Sequence, residues 1–60
     1  MSLEEAIIME TNKERFYESK ADNEEDLKLS KDYHILARQH REIAGFLFEL
    51  QSLRPTKEEV

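Results

Sequence analysis

Sixty residues with no cysteine, a net charge of −5 and 38% charged side chains make at most one very small domain. That composition excludes disulfides and cysteine-based zinc sites, and its acidity argues against a nucleic-acid-binding surface. A chain this short buries only about 60% of the surface it exposes when unfolded, so self-association is the reinforcement left to it. One glycine and one proline among so many charges favour helix over sheet. No apolar run reaches the ~20 residues of a membrane span. Leu3 to Met9 carries two glutamates and lacks the basic leader of a secretory signal. The expectation is a soluble, cytoplasmic protein.

Ser2, Leu3, Glu4 and Glu5 form a capping box. The Ser2 hydroxyl accepts from the backbone three residues on, and Glu5 reaches back to the Ser2 backbone N–H. A helix therefore starts at Leu3, with Glu4 and Glu5 at the positive end of its dipole. Its apolar content, Leu3, Ala6 and Ile7 and later Phe16 and Tyr17, is interrupted by the polar run Glu10 to Arg15. At 100° per residue Leu3, Ile7, Glu14 and Tyr17 share a broad, patchy face. Residues 19–26 read as the connection, where the hydrophobic period gives way to charge. Asp22 or Asn23 is the expected cap of the next helix, completed by Glu25 or Asp26.

A long helix is expected from about Glu24 to Arg54, ended by Pro55, which disfavours α geometry at its predecessor. Leu29, Leu36, Ile43 and Leu50 recur every seven residues. Tyr33, His40 and Leu47 line one side of them, with Phe46 and Leu53 on the other. Ala37, Ala44 and Phe48 widen the first flank and Ile35 the second. This apolar arc exceeds what one partner helix covers, since a stripe somewhat over 100° suffices for that. Each large side chain left in water forgoes roughly 1.5–3 kcal/mol. The sequence thus predicts an all-α helix–turn–helix hairpin over 1–54, short helix then long. It is expected to assemble as a four-helix-bundle homo-oligomer, a dimer of hairpins. The oligomer interface and core are Leu29, Tyr33, Leu36, His40, Ile43, Phe46, Leu47, Leu50 and Leu53. Residues 55–60 form a polar, frayed tail.

Charge is divided between the halves. Residues 1–26 carry nine acidic and three basic side chains, whereas 27–54 carry three acidic and five basic. The two helices are therefore suited to antiparallel pairing. His34, Arg38 and Arg41 lie on one side of the long helix, one turn beyond Lys31. They are either a solvated outer face or an anion-binding strip, because guanidinium groups grip phosphate and carboxylate. His40 falls inside the apolar arc, as a satisfied core or interface histidine or as a switch. Six-residue spacing holds His34 and His40 roughly 120° apart, so they share no metal. Phe48 is a candidate contact for another protein, or else packs within the oligomer. Gly45 marks either a close helix crossing or an exposed position. No serine has a histidine one turn away to activate it, and one glycine builds no phosphate-binding loop. No catalytic activity and no cofactor are expected.

Leu3 to Ile7 reads LEEAI, and Ala37 to Leu50 follows the pattern A-x-x-H-R-x-[LI]-A-x-x-L-x-E-L. Over about half the chain this resembles small helical proteins encoded by phages and prophages of Firmicutes. Many of those carry a cysteine before the A-x-x-H-R segment, where this chain has Tyr33 and Leu36, so no thiol or metal role carries over. The resemblance implies an infected or lysogenic bacterial host. It also implies action by protein–protein interaction, inhibiting or modulating a host factor such as a defence protein. Two alternatives stay open: an oligomeric sponge holding a small anionic nucleotide against His34, Arg38 and Arg41, and a phage structural or assembly subunit.

Overall fold

The structure, a computed structural model, describes residues 1–53. Two helices, α1 (Leu3–Asn23) and α2 (Leu27–Leu53), pack antiparallel as a hairpin, and no strand occurs among the described residues. The short-then-long order expected from the sequence is present, at 21 and 27 residues. Arg54 and the expected tail, residues 55–60, lie outside the described residues.

Both starts are chemically capped. The Glu5 backbone N–H donates to Ser2 Oγ at 3.1 Å and the Ser2 N–H donates to Glu5 Oε1 at 3.4 Å, the reciprocal box read from the sequence. The cap of α2 differs from expectation. α1 runs on through Asp22 and Asn23, and Asp26 is the residue that opens α2. Its Oδ1 accepts from the Lys28 N–H at 2.9 Å and the Leu29 N–H at 3.3 Å. Packing explains the extra length of α1, because its inward-facing spacing continues through Ala21 to Glu24 and keeps the last turns against α2.

The turn is therefore only Glu24, Glu25 and Asp26. Glu24 leaves the helix in an extended conformation, and its N–H donates to the Ala21 carbonyl at 3.3 Å. From across the turn, Ser30 Oγ donates to the same carbonyl at 2.8 Å. Carbonyls of a final helical turn lack intrahelical partners, so this hydroxyl both satisfies one and fastens α2 to the end of α1.

Along α1 the residues turned inward are Leu3, Ile7, Glu10, Glu14, Tyr17, Ala21 and Glu24, alternating four and three apart. Along α2 they are Ser30, Tyr33, Ala37, His40, Ala44 and Leu47, at the same spacing. This is the heptad pattern of a two-stranded coiled coil. Among the described residues only Ala21 and Ala37 are buried, each 2% exposed. Both belong to a row of small residues, with Ser30 and Ala44, along one side of the seam, which lets the backbones approach closely. The other side of the seam carries the larger Tyr17, Tyr33 and His40.

Gly45 meets nothing here: a Cβ added to it would find no atom within 4 Å. Within the hairpin it is an exposed helical glycine and not a crossing point.

The caps and the glycine yield opposite expectations. Ser2→Ala and Asp26→Ala should each lower the unfolding free energy by about 1 kcal/mol. Gly45→Ala should raise it by up to about 1 kcal/mol, since the helix gains propensity without a clash. Urea denaturation followed by circular dichroism measures all three, and a destabilised Gly45→Ala protein would contradict the open environment at that position.

Candidate interaction surface

One polar cluster sits inside the seam. His40 Nδ1 lies 3.2 Å from both carboxylate oxygens of Glu10, thirty residues away in the chain, and the two side chains are 20% and 14% exposed. A carboxylate only accepts, so the proton of this bond is on His40 Nδ1, and Glu10 fixes the tautomer of the ring. Lys13 Nζ stands 3.9 Å from the same carboxylate. The imidazole is stacked on Tyr17 at 5.6 Å between centroids and 8° between planes, and Tyr17 is in turn stacked on Tyr33 at 6.1 Å and 21°. Phe16 meets Tyr17 edge-on at 5.3 Å, and the Lys20 ammonium lies 5.5 Å from the Phe16 centroid and 5.8 Å from that of Tyr33. His40 is thus a histidine satisfied within the seam. The sequence places Tyr17 on the patchy face of α1 but singles out neither Glu10 nor Lys20. The available signal was the seven-residue recurrence of Leu3, Glu10, Tyr17 and Glu24 beneath a polar run.

The residues expected to form the interface and core divide into two groups. Tyr33, Leu36, His40 and Leu47 are half-buried by α1, while Leu29, Ile43, Phe46, Leu50 and Leu53 remain exposed. The line through Leu29, Leu36, Ile43 and Leu50 is covered only along its edge, with Leu36 half-buried and the other three about two-fifths exposed. α1 packs on the adjoining rows, where His40 answers Glu10 and the alanines permit close approach.

An antiparallel turn places this line beside Ala6, Met9, Lys13, Phe16 and Lys20 of α1, on one common side of the hairpin. Along α2, Leu29, Asp32, Leu36, Gln39, Ile43, Phe46, Leu50 and Leu53 alternate three and four apart. α2 therefore carries a second heptad seam next to the first, apolar at all positions but Asp32 and Gln39. Phe46 is 60% exposed and Leu53 81%. Between Gln39, Glu42, Ile43 and Phe46 lies an open hollow of about 400 Å³.

His34, Arg38, Arg41 and Phe48 lie on the other side of α2, all exposed. Phe48 is about 150° around the helix from the second seam. The structure brings His34, Arg38 and Arg41 together as one line along a single helix face, at intervals of four and three residues. Among the described residues, no group of three histidine and carboxylate side chains converges as a metal site, and no helix is long and apolar enough to cross a membrane.

No family model, curated protein or solved structure matches the chain.

The Glu10–His40 bond is open to direct observation. ¹⁵N chemical shifts of the imidazole should report the Nδ1-protonated tautomer in the native chain and its loss in Glu10→Ala. The same substitution should destabilise the hairpin by about 1–3 kcal/mol, the worth of a hydrogen bond to a charged group. An unchanged tautomer in Glu10→Ala would show that the ring is held by something else.

Proposed function

We propose that this chain is a binding protein that acts through protein–protein contact and not through turnover. The observation that supports the reading most directly is the apolar second seam of α2, left uncovered by the one partner helix the described chain supplies. Five large side chains along it are exposed, from Leu50 at 38% to Leu53 at 81%, and each forgoes the corresponding part of the roughly 1.5–3 kcal/mol that full burial is worth. A hairpin this small has little stability to spare. Pairing of two hairpins into a four-helix bundle buries that seam and supplies the reinforcement the chain lacks.

In such a bundle Phe48 and the His34, Arg38 and Arg41 line stay on the outside. Phe48, 60% exposed, is then the apolar anchor offered to a different protein. The resemblance to small phage-encoded helical proteins gives this contact its context, a host factor that the bundle inhibits or modulates.

A second reading rests on the linear array of His34, Arg38 and Arg41 in one exposed line, which suits an anionic nucleotide held between subunits. The two readings diverge in solution. Light scattering should give a dimer, and a thermal-shift panel of nucleotides should leave the melting temperature within a degree. Phe48→Ala should abolish capture of the host factor while leaving the dimer and its melting temperature intact. A shift of several degrees with one nucleotide, lost in Arg38→Ala and Arg41→Ala, would replace the first reading by the second.

A further inference from the structure

The uncovered seam of α2 has a shape that selects its occupant. Gln39, Glu42, Ile43 and Phe46 stand at i, i+3, i+4 and i+7, and these four residues alone line the open hollow. Four residues at that spacing form the hole into which a partner helix seats one knob in a coiled coil. α1 lies against the adjoining rows and leaves this hole empty.

We infer that the hole receives Leu36 of a second copy of this chain, so that the α2 helices of two copies pair antiparallel about a two-fold axis passing between Gln39 and His40. The inference rests on the assembly proposed above and specifies its geometry. Seating Leu36 there fixes the register of the whole contact. Leu36 then faces Ile43 of the second copy, and Leu29 faces Leu50, each pair occurring twice by symmetry. A closed two-fold contact demands this self-complementarity.

Two further observations favour this arrangement over its rivals. The first is charge. Along the outer edge of the seam Lys28 lies near one end and Glu49 near the other. Antiparallel pairing sets Lys28 of each copy within two residues, about 3 Å along the axis, of Glu49 of the other, whereas parallel pairing opposes like charges. The second is length. α2 is six residues longer than α1, from the 27 and 21 residues of the two helices, and carries Leu50 and Leu53 in its last turn. In the antiparallel α2 pair each such end covers the Leu29 end of the other copy. The alternative bundle, with α1 of one copy on α2 of the other, leaves both ends uncovered.

Cysteine cross-linking of the full chain decides the matter, because the native sequence contains no cysteine. Gln39 is the seam residue nearest the axis, so Gln39→Cys should oxidise to a disulfide-linked dimer in high yield. Asp32→Cys copies sit about 22 Å apart along the axis at 1.5 Å per residue and should remain unlinked. Self-linking of Asp32→Cys would show a parallel pair. Linking in a mixture of Lys20→Cys with Asp32→Cys chains would show α1 packed on α2 of the second copy. Either result, or a dimer in which Gln39→Cys stays reduced, overturns the arrangement while leaving the assembly standing. A monomer by light scattering at all concentrations overturns both. Because a core substitution risks unfolding so small a chain, a surface pair supplies a second readout. Lys28→Glu should raise the dimer dissociation constant severalfold, and Lys28→Glu with Glu49→Lys should restore it. Failure of the double variant to recover would count against the register.

Discussion

One constraint governs this molecule: α2 presents two adjacent seams, and the hairpin supplies one helix to cover them. Which seam α1 takes is decided by polarity and volume together. α1 carries Glu10 and Glu14 on its inward face, and an ionised carboxylate set among leucines lacks a partner to offset its lost hydration. On the adjoining row His40 supplies that partner for Glu10. The alanines beside it let the helices come close enough for Ser30 and the Ala21 carbonyl to meet. α1 therefore packs on the more polar rows, and the stronger apolar line is left facing outward.

That choice separates two kinds of specificity. The inner seam is rich in directional contacts: a hydroxyl on a terminal carbonyl, a carboxylate on an imidazole, and rings stacked in sequence from Tyr33 through Tyr17 to His40. A single polar pair at a coiled-coil core position sets register at some cost in stability. The outer seam, by contrast, is aliphatic along most of its length, with Asp32 and Gln39 as its two polar positions.

The sequence made the architecture legible because helix signals are local. The capping box at Ser2 and the width of the apolar arc both followed from side chains a few residues apart. The identity of the inner seam was less accessible. Leu29, Leu36, Ile43 and Leu50 dominate any hydrophobicity-weighted pattern, whereas Ala37 and Ala44 owe their burial to small size. Glu10 and Tyr17 owe theirs to partners on the other helix, His40 among them. Pairing of that kind depends on which residues the turn brings level. The turn lies within the expected connection of residues 19–26 but is shorter, because Asp22 and Asn23 are as suitable for capping as Asp26, and only the continued packing of α1 distinguishes them.

The three-residue turn also determines how the chain reaches this state. Ser30 and Ala21 are nine positions apart, while His40 and Glu10 are thirty. Both of these hydrogen bonds join residues nearly equidistant from Glu25, so the first shortens the loop that the second must close. Closure entropy is then spent in small increments from the turn outward. Chains dominated by such local pairings fold in microseconds to milliseconds. By the same reasoning the end of the hairpin farthest from the turn, at Leu3 and Leu47, closes after the Glu10–His40 pair has brought it within reach.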